Sequence, residues 1–212
     1  YQITAIRAQK HNRDRLNIEL DGEYAFGLSR IVAAWLRVGD FLSDEKIASL
    51  KKSDNPEAAY QKALRMLNYR ARTTKEVRQK LFEKGFESED IERVLGRLQE
   101  AGLVQDQRYA ESWVENRNDQ HPRSRRLIRY ELKNKGIADP LIDSALADCA
   151  QDDELAMKAA TKYARRLDFE VKDVFRKRLI AHLAGKGFSY DTIQPVVQTL
   201  IKSMEQDQSI NL

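Results

Sequence analysis

The chain is short of the residues that usually carry chemistry. Its 212 residues include one cysteine, Cys149. No intramolecular disulfide can form, and a reducing, cytosolic setting is the natural expectation. The three histidines, His11, His121 and His182, stand far apart with no ligand spacing between them, so neither a metal site nor a cofactor is expected. Nine glycines and four prolines leave few breakers, which favours helices. No apolar run approaches the roughly 18 residues that cross a bilayer, and no secretory signal is visible. The chain opens on Tyr1 and not on methionine, so a few native residues are expected ahead of it. Charge of one sign is scarce too: 37 basic residues nearly cancel 33 acidic ones, for a net +4. A basic surface must therefore come from clustering and not from bulk excess. Paired carboxylates, a nucleophile elbow and a Cys–His pair are all missing. Gly185, Lys186 and Gly187 resemble a phosphate loop only superficially, because they end a helix where a P-loop begins one. The chain is not expected to be an enzyme.

What is present is a repeat. Residues 121–137, HPRSRRLIRYELKNKGI, read as a helix opened by Ser124 and closed by Gly136. The helix carries Arg125, Arg126, Arg129, Lys133 and Lys135 against a single acid, Glu131. The same ending recurs at Lys84-Gly85-Phe86 and Lys186-Gly187-Phe188, so the three glycines fall at a constant interval of 51 residues. A period of that size marks repeated supersecondary units. Counting from each glycine, Ile91, Ile142 and Ile193 superpose, as do Leu95, Leu146 and Val197, and Leu98, Cys149 and Leu200. That alignment makes Cys149 a small core residue, not a reactive thiol.

Ahead of the repeats, residues 2–28 alternate as strands do, and Asp21-Gly22 is the favoured pair for a tight hairpin. Two or three antiparallel strands are expected, too few to stand without a packing partner. Residues 31–36 read as a short apolar helix anchored by Trp35. Ser43 caps another ending near Leu50, and residues 51–55 read as a polar linker. The first repeat then opens at Asn55-Pro56, a cap followed by proline. Thr73 with Glu76 forms a capping box for its second helix, and Ser88 caps its third. In the later repeats Asp139-Pro140 caps a third helix, and the tail beyond Ser203 is polar and expected to fray. Tyr109, Trp113 and Tyr163 sit on apolar faces and read as core. The fold class is mainly α: three tandem three-helix repeats in an elongated, curved array, preceded by a small β-hairpin region. The expected segments are 1–53, 54–104, 105–150 and 151–212.

The second helix of each repeat is cationic. Lys75, Arg78 and Lys80 mark the first, with Arg70 and Arg72 just ahead of it. Arg125, Arg126, Arg129 and Lys133 mark the second, and Lys172, Arg176, Lys177 and Arg178 the third. A solvated helix face would explain each alone; recurrence argues for a shared acidic partner or a nucleic-acid backbone.

Several stretches together resemble the RecX regulatory proteins. They are residues 63–67 (ALRML) with Tyr69 and Arg70, residues 75–81 (KEVRQKL), Lys84-Gly85-Phe86, residues 91–98, residues 106–113 (DQRYAESW), residues 128–132 (IRYEL) with Lys135-Gly136-Ile137, and residues 178–191. The match covers about residues 57–203, and the hairpin resembles the amino-terminal extension of longer members. The resemblance implies a non-enzymatic modulator, usually an inhibitor, of the RecA recombinase. Such a protein lies in the groove of the RecA–DNA filament and damps its growth, ATP hydrolysis, recombination and the SOS response. The expected contacts are Arg70, Arg72, Lys75, Arg78, Arg123, Arg125, Arg126, Arg129, Lys133, Arg176 and Lys177. A cytoplasmic monomer without membrane contact is implied, with a weak DNA contact left open; the alternative is a low-specificity DNA binder acting directly. Many members carry Gly-Pro just ahead of the central basic helix, where this chain has Arg123-Ser124, so a different helix start is expected.

Overall fold

Asp21 and Gly22 both adopt left-handed backbone, with φ of 50° and 92°, which is the geometry a two-residue hairpin needs. They join β2 (Asn12–Leu20) to β3 (Glu23–Ser29), and β1 (Ile3–Gln9) completes an antiparallel sheet in the order β1-β2-β3. Ile6 and Phe26 both pair with Ile18, and Leu28 pairs with Leu16. One face buries Ile3, Ile18, Leu20, Phe26 and Leu28 against Ala33, Leu36, Leu42 and Leu50. The computed structural model describes residues 1–10, 12–167 and 171–210, with side chains through residue 206. His11 lies outside the described residues. The chain divides into two compact units, Tyr1–Val104 and Gln105–Leu212.

In the first unit, the expected short helix at residues 31–36 is a series of turns. Six residues cannot repay helix nucleation without strong packing, and only Ala33 and Leu36 are buried there. Trp35 is no anchor: it is 53% exposed, with Lys46 Nζ 4.5 Å from its ring. Nor is there a linker at 51–55. Helix α1 (Asp44–Tyr69) starts at the Ser43 cap and runs unbroken through Pro56. A proline inside a helix costs about 3 kcal/mol, so something must hold the segment. Two buried carboxylates flank it. Asp54 accepts from Arg15 Nη2 at 2.7 Å and from the Ser29 backbone N–H, while Glu57 accepts from Arg97 Nη1 at 2.8 Å. These charge-assisted bonds tie α1 to the sheet and to helix α3 (Ser88–Glu100). Between them, α2 (Thr74–Phe82) opens with the expected Thr73–Glu76 capping box. The cap of α3 is Glu87, one residue before Ser88, and no side chain bonds across it.

The second unit holds α4 (Asp106–Asp119), α5 (Arg125–Asn134), α6 (Asp139–Leu146), α7 (Asp152–Ala164), α8 (Lys172–Gly185) and α9 (Tyr190–Ile210). Ser124 caps α5, its hydroxyl accepting from Leu127 N–H at 3.2 Å. Ala138, not Asp139, is the cap of α6, with Pro140 at its start. The last helix continues past Ser203 to Ile210, where fraying was expected. Tyr109 stacks on Trp113 with centroids 5.9 Å apart, both packed against the core. Cys149 is buried one turn beyond α6, and burial pushes its thiol pKa up.

The repeat is visible residue by residue. Gly85, Gly136 and Gly187 have φ of 82°, 82° and 87°, ending each second helix in left-handed backbone. Leu81, Leu132 and Leu183 are each fully buried at equivalent positions. The second and third helix sets do not close separate cores; residues of α4 through α9 form one apolar cluster. Gly187 explains how they approach. A Cβ built there would lie 2.7 Å from Ser124 Oγ and 2.8 Å from Leu127 Cβ. Ser124 N–H also donates to the Lys186 carbonyl at 3.1 Å. The Arg123-Ser124 helix start thus caps α5 and docks it onto the end of α8.

Candidate partner-binding surface

The cations expected to bind a partner fall into two groups. Most are tied to the protein itself. Arg70 forks onto Glu76 at 3.1 and 3.2 Å, and Arg72 Nε donates to the Met66 carbonyl at 3.3 Å. Arg78 is bidentate on Glu92 at 2.7 and 3.0 Å, and this bond holds the Glu92 carboxyl below its usual range. Arg125 Nη1 donates to the Cys149 carbonyl at 2.6 Å, while its backbone N–H donates to Asp152. Arg129 pairs with Asp139 and Asp143, and Lys133 with Asp139 at 2.9 Å. Arg176 donates to Gln194 at 3.2 Å. Exposed pairs of this kind contribute about 0–1 kcal/mol each, but they lower the net charge of the helix face.

Arg123 is partly buried. It pairs with Glu131, which also accepts from Trp113 Nε1 at 2.7 Å and from Arg117 Nε at 2.9 Å. The Arg117 guanidinium lies 4.4 Å from the Trp113 ring centroid. Burial lowers the pKa of both arginines, and Arg117 lowers that of Arg123 further. The lone acid on the basic helix is therefore the centre of a half-buried cation cluster.

The second group is small. Arg126 and Lys177 are exposed and make no hydrogen bond or ion pair with any described residue. They occupy the same register of their repeats, two residues after the buried Ser124 and Phe175. The first-repeat equivalent is Lys75, exposed on α2 two residues after the buried Thr73. One register position thus presents a cation on each second helix. On α5 that cation has Tyr130 four residues on, 62% exposed. Arginine and tyrosine on one helix face are the residue types that dominate interface energies. Sequence reading passed over Tyr130, although its spacing from Arg126 was legible.

Comparison with known proteins places the whole chain. Models for the regulatory protein RecX match it in four parts: the N-terminal domain over residues 1–43, the first three-helix domain over 59–98, the second over 106–146 and the third over 151–197. A regulatory protein RecX of Leuconostoc mesenteroides is 33% identical over 219 residues, covering 100% of this chain and 79% of that protein. Another, of Bacillus licheniformis, is 35% identical over 92% of this chain and 76% of its own length. A crystal structure of a regulatory protein RecX superposes with a TM-score of 0.65 at 32% identity, over 95% of this chain and 98% of the other. RecX from Lactobacillus salivarius gives 0.57 at 30% identity, over 70% and 97%.

Proposed function

The chain belongs to the RecX family of regulatory proteins, and from that premise we propose that it binds the RecA filament on DNA and inhibits it. It acts by binding, without catalysis, as a monomer in the cytoplasm. Filament growth, ATP hydrolysis, recombination and the SOS response all fall when it binds. The observation that carries the reading is the recurrence of an exposed cation, Lys75, Arg126 and Lys177, at one register of three successive second helices. A filament repeats each of its surfaces many times. Three equivalent cations on one chain suit it, because each weak contact raises the effective concentration of the next.

Charge reversal tests the surface. Arg126→Glu with Lys177→Glu removes no internal bond among the described residues, so folding stability should stay within about 0.5 kcal/mol. Inhibition of RecA should drop by at least about tenfold in midpoint concentration. Full inhibition by the folded double variant would move the contact elsewhere. Arg125 and Arg129 are poorer tests, since each is already engaged by the chain's own acceptors.

A further inference from the structure

A cleft of about 240 Å³ lies in the second unit between the segment after α4 and helices α7 and α8. Lys162, Arg166 and Lys186 converge on it, with His121 and His182 beside them. No carboxylate is among the described residues that line it. Lys162 donates to the Gln120 carbonyl at 2.8 Å, which fixes its position without neutralising its charge. Behind the lining, Arg117 and Arg123 share the single carboxylate of Glu131. Arg123 Nε is buried with no hydrogen-bond partner among the described residues. On the wall of the cleft Tyr163 and His182 stack face to face, centroids 3.9 Å apart and planes 3° from parallel. None of this was expected of the second helices, and none of it belongs to the register described above.

From this juxtaposition of converging cations and a stacked ring pair, we propose that the cleft binds a backbone phosphate of single-stranded DNA. The volume sits below the roughly 300–1,000 Å³ of pockets that enclose whole small molecules. It suits one charged group of a longer chain that continues outside. An oxyanion with several acceptor oxygens answers several donors at once. The neighbouring ring pair favours a nucleotide over an acidic side chain, since aromatic faces beside a basic groove are how proteins hold single strands without reading sequence. The site's own electrostatics agree. Burial lowers the Lys186 pKa, and Arg123, Arg117 and Lys162 lower it further; His182 is lowered by burial and then by Lys186 and Arg166. These cations crowd one another, and an anion among them relieves the crowding.

The inference goes beyond the filament reading and is argued without it. Its test contains no RecA, so failure here leaves that reading standing. The probe is a short labelled oligothymidylate, bound to the full chain and followed by fluorescence anisotropy across a salt series. The variant Lys162→Gln with Arg166→Gln should weaken binding by at least about tenfold and reduce the salt slope by about 0.7, the share of the one phosphate the cleft holds. A control, Arg37→Gln with Lys202→Gln, removes the same charge from exposed positions outside the cleft and should cost far less. On the wild-type chain, the His182 imidazole titration, read by NMR, should move up when the oligonucleotide saturates. This second readout decides the matter even if the variant folds poorly. No oligonucleotide binding, equal losses in variant and control, or an unmoved His182 would each overturn the proposal. So would displacement of the oligonucleotide by polyglutamate at equal charge, which would assign the cleft to an acidic polypeptide.

Discussion

Changing Gly187 and Gly85 to alanine, one at a time, separates backbone strain from packing. Both glycines end the second helix of a repeat, with φ of 87° and 82°. An L-residue in left-handed backbone costs about 1–2 kcal/mol. At Gly85 nothing lies within 4 Å of the added Cβ, so that cost is the whole effect. At Gly187 the methyl meets Ser124 Oγ at 2.7 Å, Leu127 Cβ at 2.8 Å and Leu127 Cδ2 at 3.2 Å. Ser124 is buried and caps α5, so it cannot swing away without losing its bond to Leu127 N–H. Overpacking adds about 1–3 kcal/mol. Gly187→Ala should therefore cost about 2–5 kcal/mol against about 1–2 for Gly85→Ala. Native-state hydrogen exchange reads each unit separately and so avoids assuming a single transition. Equal costs at the two positions would refute the claim that Gly187 is where the third repeat docks onto the second.

Other consequences are as direct. Glu131→Gln leaves Arg117 and Arg123 without their carboxylate, and Arg117 and Glu131 are only 13% and 12% exposed. Breaking a buried pair costs about 3–5 kcal/mol; urea unfolding followed by circular dichroism should show it, and a loss under about 1 kcal/mol would demote the cluster to a surface pair. His182 titrates below its ordinary 6.5, chiefly through burial. Between its folded pKa and 6.5 the unfolded chain holds the extra proton, so stability falls as pH drops through that window and is fully present above it. Urea midpoints of the wild type should show this acid loss and those of His182→Gln should lack it; matching curves would show that His182 is not held neutral.

Local signals were easy to read in this chain. The hairpin at Asp21-Gly22, the helix stops at Gly85, Gly136 and Gly187, and the Thr73 and Ser124 caps all depend on a few neighbouring residues. The 51-residue interval then aligned the cores. What stayed hidden depends on distant partners. Asp54 read as part of a polar linker because nothing nearby reveals Arg15 or the Ser29 N–H that bury it. Pro56 read as a helix start for the same reason. Trp35 looked like an anchor by residue type, yet it is 53% exposed, with Lys46 over its ring. At the candidate surface the sequence counted cations, whereas the fold decides which keep their charge outward. Arg125 is spent on the Cys149 carbonyl and Arg123 on Glu131, while Arg126, the next residue along α5, remains available. The cleft cations Lys162, Arg166 and Lys186 come from α7, the turn after it and the end of α8, and carry no shared motif.

The most direct test of the central claim is single-stranded-DNA-dependent ATP hydrolysis by RecA, titrated with this chain at substoichiometric ratios. A fall in rate well below one molecule per RecA is the predicted result, since one chain seated on a filament affects many subunits. An unchanged rate, with oligonucleotide binding intact in a separate assay, would contradict filament inhibition and leave a protein that acts on DNA directly.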